Sequence, residues 1–158
     1  MDTKKTTCYS YFSIGSEGEV RDLIGFVAAA NSDFDPAEIT KRLGIVPFET
    51  REKGQQRKIL NNICGVYPSS AWIACRQDTP ILDAEAQCLA IVRILKDKIP
   101  ILQKIKKDWN VCFSINIVPE IRDDDKPAMH FNQEIISFCH STGTEIDIDL
   151  YVFDPHED

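Results

Sequence analysis

The stretch from Gly143 to Phe153, G-T-E-I-D-I-D-L-Y-V-F, constrains this chain more than any other. Read as extended backbone, it puts Ile146, Ile148, Leu150 and Val152 on one side and Glu145, Asp147, Asp149 and Tyr151 on the other. Successive side chains of a strand point to opposite faces, so the pattern predicts a strand with one buried and one wet face. The apolar side then needs partners, which the rest of the chain must supply.

Those partners can be read in chain order. Cys8 to Ile14, C-Y-S-Y-F-S-I, is aromatic and β-favouring and predicts a strand. Leu23 to Ala30 is a short apolar run whose period does not separate strand from helix; Gly25 and its β-branched and aromatic residues favour a strand, forming a hairpin with the first. Asp35, Pro36 and Glu38 make an N-cap, a first helical position and an aspartate form of the capping box, and Gly44 stops that helix. Phe48 to Ser70 reads as a long polar excursion, and Ala71 to Arg76 as a strand with Trp72 packed inward.

Asp83 opens the longest helix. Cys88, Ile91, Val92, Leu95, Ile99, Leu102, Ile105 and Trp109 recur at intervals of three or four as one apolar stripe. Pro100 lies inside that stripe and must kink or break the helix near Asp97. Val111 to Val118 alternates, with Val111, Phe113, Ile115 and Ile117 on one face. Pro119 to Pro127 holds an acidic loop. Asn132 caps a helix through His140 with Ile135, Ile136 and Cys139 inward, and Gly143 ends it. This order predicts an α+β fold: a single, mostly antiparallel sheet with helices packed on one face. Its 158 residues suit one domain able to bury a core without disulfides or metal, with residues 154–158 as a frayed tail.

Composition narrows the function classes. The net charge of −7 disfavours non-specific nucleic-acid binding, which depends on Lys and Arg neutralising phosphates. None of the six cysteines is spaced C-x-x-C, so neither a zinc knuckle nor a thioredoxin-like motif is present, and they read as small buried hydrophobes. The opening M-D-T-K-K-T-T has no secretory pattern and no run is long enough to span a bilayer, which predicts a reducing cytoplasm.

No segment carries a specific catalytic, metal or nucleotide motif. Glu145, Asp147 and Asp149 project alternate carboxylates about 6–7 Å apart along a strand. Two of them could hold Mg²⁺ or act as acid and base, but a solvated strand face explains them more simply. Asp123, Asp124 and Asp125 lack the glycine and terminal glutamate of a calcium loop, and read as a loop turned outward. His130 and His140 suit surface or helix-end positions, and His156 lies in the tail. Arg51, Lys53, Arg57 and Lys58 form a basic cluster without aromatic interleaving, and Gly54 and Gly65 make no phosphate-cradling loop.

Three separated stretches carry a family resemblance: D-F-D-P-A-E-I-T-K-R-L-G-I-V-P (Asp33 to Pro47), the pair Gly54 and Trp72, and H-F-N-Q-E-I-I-S-F-C-H-S-T-G-T-E-I-D-I-D-L-Y (His130 to Tyr151). Together they resemble the bacterial domain of unknown function numbered 4279. The resemblance covers about residues 20–153, leaving residues 1–19 as an additional N-terminal strand. It implies an α+β fold and a bacterial cytoplasmic protein, and no established activity.

Size, acidity and missing catalytic motifs point first to a non-enzymatic protein-binding module. Its most concrete form is a bacterial immunity protein that neutralises a basic toxin domain, where opposite charge would speed association. Asp123, Asp124, Asp125, Glu145, Asp147 and Asp149 are the expected contact residues, with no cofactor and neither nucleic acid nor membrane as partner. One alternative is a metal-dependent hydrolase using Asp147 and Asp149 with His130. Another is a small regulatory or structural module recognised through residues 48–70.

Overall fold

The computed structural model describes residues 5–16, 33–60 and 62–153. The fold is α+β. Strands β1 (Thr7–Ser16), β2 (Glu49–Arg51), β5 (Ala71–Asp78), β6 (Val111–Ile121) and β7 (Thr144–Ile148) form one mixed, mostly antiparallel sheet in the order β2-β5-β1-β6-β7. The short β8 (Tyr151–Val152) adds beside β6 in parallel. The helices are α1 (Pro36–Leu43), α2 (Ala84–Leu95), α3 (Ile99–Trp109) and α4 (Gln133–Thr142), three of which pack against the sheet, and β3 (Gln56–Ile59) with β4 (Asn62–Val66) makes a separate hairpin. The strand expected over Leu23–Ala30 and the tail at 154–158 lie outside the described residues.

The helix boundaries follow their capping residues. Asp35 accepts from the Ala37 amide at 2.8 Å through Oδ1, and Pro36 fills the first turn. Gly44 takes a left-handed φ of +66° and gives its amide to the Thr40 carbonyl, closing α1. Asp83 caps α2 through the Ala86 amide at 3.0 Å. Asn132 caps α4 through the amides of Glu134 and Ile135. Pro100 has the predicted effect: without an amide it cannot bond the Lys96 carbonyl four residues back. That carbonyl takes the amide of Ile99 instead, so a 3-10 turn over Lys96–Lys98 separates α2 from α3.

The chain forms two compact units. The first holds the residues up to Phe12, Cys75–Ile99, and those from Ser114 onward. Its interior includes Cys8, Phe12, Cys88, Ile91, Val92, Leu95, Ile115, Ile117, Ile135 and Phe138. Ile136 is 48% exposed and Phe138 takes the inward place expected for it, because positions 135 and 138 share a helical face and 136 is turned away. One polar side chain is buried here with its hydrogen-bonding capacity filled. Gln87 Oε1 accepts from the Ser10 hydroxyl at 2.7 Å, and its Nε2 donates to the Cys8 carbonyl at 2.8 Å and to Thr79 Oγ1 at 3.2 Å. Burial pushes the Cys88 thiol up to about 12, so it packs as a small apolar group.

The second unit comprises Ser13–Ala74 and Pro100–Phe113. Trp72 is fully buried and donates its indole N–H to Thr40 Oγ1 at 3.0 Å. Ile39, Leu43, Leu102, Ile105, Val111 and Phe113 are also fully buried. Arg42 lies 4.3 Å from the centre of the Trp109 ring and reaches Asp108 at 2.6 Å, and those hydrogen bonds hold the Asp108 carboxyl below its usual range.

Residues 48–70 are not the irregular excursion the sequence suggested. Glu49, Thr50 and Arg51 pair with Ile73, Trp72 and Ala71 at the β2 edge of the sheet. After a short break the two chains pair again: the Gly54 amide meets the Tyr67 carbonyl and the Tyr67 amide meets the Gln55 carbonyl. The ladder continues as β3 and β4, ending where Ile59 faces Asn62. The segment is therefore a β-arm rooted at the sheet edge. Its side chains, polar and apolar alike, are exposed on both faces, so the burial alternation that marks a half-buried strand is absent.

Gln87→Leu should destabilise the fold by about 1–3 kcal/mol in urea unfolding, since the Cys8 carbonyl and the Ser10 hydroxyl lose a buried partner. Ser10→Ala should cost less in that background than alone, because the two side chains act as one network.

Candidate functional site

The acidic residues singled out in the sequence lie along the β7–β8 edge of the sheet and its adjoining loop. β7 follows directly from α4 through Gly143, whose left-handed backbone turns the chain. Beyond β7 the Asp149 amide bonds the Ile117 carbonyl at 2.9 Å. Tyr151 then stands opposite Glu120 and Val152 opposite Ile121. The Asp149–Ile117 bond and these pairs follow one parallel register, and only Asp149 and Leu150 fall between β7 and β8.

This corrects the expectation of one continuous strand with a buried apolar face. Thr144 is buried and Ile146 half-buried, but Ile148 is 45% exposed, Leu150 56% and Val152 72%. The reason is position. β7 ends the strand order, and β8 beyond it is only two residues long. What alternates in sequence is an open edge, apolar and acidic at once.

Glu145 and Asp147 are exposed on β7 and form no ion pair among the described residues. Asp149 sits between β7 and β8 and accepts from the Tyr151 hydroxyl at 2.8 Å, which pushes the phenol above its ordinary range. Tyr151 and Phe153 stack at 6.4 Å, and the Arg122 guanidinium lies 3.7 Å from the centre of the Phe153 ring. That contact brings the acidic loop to the end of the edge. β6 runs through Ile121, beyond Pro119 where the loop was expected to begin.

Within that loop the three aspartates differ. Asp124 and Asp125 are exposed and form no ion pair among the described residues. Asp123 is engaged: its carboxylate accepts from the Thr6 hydroxyl, from the Thr6 amide at 3.4 Å and from the Asp125 amide at 3.0 Å. Thr6 Oγ1 in turn accepts from the amides of Arg122 and Asp123. These bonds, led by the Thr6 hydroxyl, hold the Asp123 carboxyl below its ordinary range. Asp123 therefore closes the loop onto the start of β1. The carboxylates of Asp124, Asp125, Glu145 and Asp147, which form no ion pair among the described residues, are strung along an edge.

The groups named for hydrolase chemistry do not form a donor set. His130 pairs through Nδ1 with Glu85 at 3.1 Å, and Asp149 is bonded to Tyr151. Among the described residues no three His, Cys, Asp or Glu side chains are grouped as a metal ion requires. In the second unit a cleft of about 320 Å³ is lined by Asp33, Phe34, Asp35, Glu52, Lys53, Ser70 and Trp109. Its polar groups are largely engaged already: Asp33 pairs with Lys53 at 3.3 Å, Asp35 caps α1, and Ser70 accepts from the Lys53 amide. Among the described residues no helix is long and apolar enough to cross a membrane.

The basic cluster is also divided. Arg51 pairs with Glu49 at 2.6 Å and lies over Tyr67. Lys53 is held by Asp33. Arg57 and Lys58 project from the β-arm and form no ion pair among the described residues. The sequence reading offered residues 48–70 as a recognition surface but took them for a loop, although two β-capable runs around Asn61-Asn62 were a signal for a ribbon.

A mixed, mostly antiparallel sheet with helices packed against it and a separate hairpin defines an α+β protein. The chain belongs to the family described as domain of unknown function (DUF4279), whose model matches residues 6–153 and so takes in β1. No curated protein and no solved structure matches the chain.

Thr6→Val should raise the Asp123 pKa, read by NMR titration of its carboxyl carbon. A carboxyl with a depressed folded-state pKa adds stability above its unfolded value and loses it as pH falls through the folded value. Wild-type stability should therefore decline on acidification below about pH 4, and the variant should show less of that decline.

Proposed function

We propose that this protein is a non-enzymatic binding module whose acidic, apolar sheet edge receives a basic protein partner. The observation that carries the reading is the coincidence, on one edge unpaired among the described residues, of the carboxylates Glu145 and Asp147, without ion pairs among those residues, with the exposed side chains Ile148, Leu150 and Val152. An edge strand offers a row of backbone donors and acceptors to an added strand, and proteins usually shield such edges. Here the charges would select for Lys- and Arg-bearing segments, and the aliphatic side chains would supply desolvated contact. Asp124 and Asp125 extend the negative field past the end of β8. The net charge of −7 adds long-range attraction for a basic partner.

The most specific form of this reading is an immunity protein that neutralises a basic toxin domain in the bacterial cytoplasm. Small size and acidity support it, together with carboxylates arranged as a line and not as a pocket. A line suits contact with a folded surface better than capture of a small molecule, which favours a concave site.

Affinity capture from the source cell should retrieve a basic protein with the wild-type chain. The Asp147→Lys/Asp149→Lys variant should bind that protein about tenfold or more weakly, with the loss growing at low salt. Asp123→Asn should lower stability without a comparable loss of capture. Capture unaffected by reversing both edge charges would overturn the reading, as would a captured set containing no basic protein.

A further inference from the structure

The β-arm is the second surface on this molecule that leaves large apolar groups in water. Ile59, Ile63 and Val66 are each about half exposed or more, and Leu60 at the tip is 92% exposed. Leu60 also takes a φ of +48°, a left-handed conformation that glycine and asparagine adopt readily and leucine avoids. A large apolar side chain held on a strained, solvent-facing turn has no role in the fold described above. Among the described residues β3 and β4 pair only with each other, leaving the outer edges of the ribbon open there.

The arm differs from the rest of the chain in charge. Residues 54–67 carry Arg57 and Lys58 and no acid, so against a total of −7 the remaining residues carry −9. A cationic, apolar ribbon with open hydrogen-bonding edges complements an anionic, apolar strand with an open edge. The chain carries both.

We infer that the β-arm of one copy docks on the Glu145–Phe153 edge of a second copy, adding its ribbon beside β7 and β8. This rests on the reading of that edge as a protein-binding surface, and it names the first ligand that the surface would accept. Arg57 and Lys58 face Glu145 and Asp147 of the other copy, and Leu60 and Ile63 cover Ile148, Leu150 and Val152. Self-docking also covers the two surfaces most exposed to indiscriminate pairing. It would compete with a basic partner for the same edge, so partner binding would release the arm.

Sedimentation velocity on the full chain over a range of concentrations tests this. The wild type should show concentration-dependent association at about 0.05 M salt that weakens at about 0.5 M salt. Leu60→Asp and Arg57→Glu/Lys58→Glu, changes on a fully exposed ribbon that leave the circular dichroism unchanged, should each weaken association about tenfold or more. The edge variant Asp147→Lys/Asp149→Lys should do the same. Mixing the Arg57→Glu/Lys58→Glu chain with the Asp147→Lys/Asp149→Lys chain should restore association, since reversed arm and reversed edge are again opposite in charge.

Monomers at every concentration, with a basic protein still captured through the edge, would overturn self-docking and leave the reading beneath it standing. Monomers combined with capture that ignores the edge charges would overturn both. Arm-dependent binding to vesicles of mixed phosphatidylserine and phosphatidylcholine, without self-association, would assign the arm to a lipid surface and overturn the inference.

Discussion

The backbone of β6 is the constraint on which the rest of the sheet depends. It is hydrogen-bonded on one side to β1 and on the other to β7 and β8, so it alone is paired to three strands. Its inward side chains Val111, Phe113, Ile115 and Ile117 are fully buried. A strand can be central only if both of its edges and one of its faces are satisfied at once. β6 meets that condition because eleven consecutive residues sustain the pleat from Val111 to Ile121. Pro119 is tolerated within it near its end, and β8 completes its outer edge.

The terminal segment keeps one register beside β6, with Asp149 and Leu150 between its two strands. Its place at the end of the strand order leaves the carboxylates and aliphatic side chains of this edge in water. The Arg122–Phe153 contact and the Thr6–Asp123 bonds hold the adjoining loop in place. Of the three aspartates in that loop, Asp123 is tied to Thr6, while Asp124 and Asp125 form no ion pair among the described residues.

The legible parts of the sequence were those where a local rule and the tertiary environment agree. Asp35, Asp83 and Asn132 cap helices, Gly44 and Gly143 end them, and Pro100 breaks one, because capping and amide loss act within a single turn of chain. The alternation of Val111–Ile117 was equally clear, since a central strand has a buried side. The terminal alternation was read with the same rule and misjudged. Periodicity reports which side chains share a face, and whether anything covers that face is decided by strand order, which no local pattern encodes. The arm was illegible for a related reason. A ribbon exposed on both faces has no burial pattern, and its tip carries Leu60 where a turn would be expected to show glycine or asparagine. Of the six acidic residues proposed for contact, Asp123 could not have been separated from its neighbours, because its partner Thr6 lies 117 positions away.

The root of the arm has a consequence for how this chain can change. Arg51 and Ala71 sit directly across from each other, so the two ends of everything between them are already within the reach of a tight turn, about 5 Å. The ribbon can therefore be shortened, lengthened or exchanged as a cassette while Trp72 and the caps of α1 keep their places. A lineage could alter what this protein greets without renegotiating how it folds.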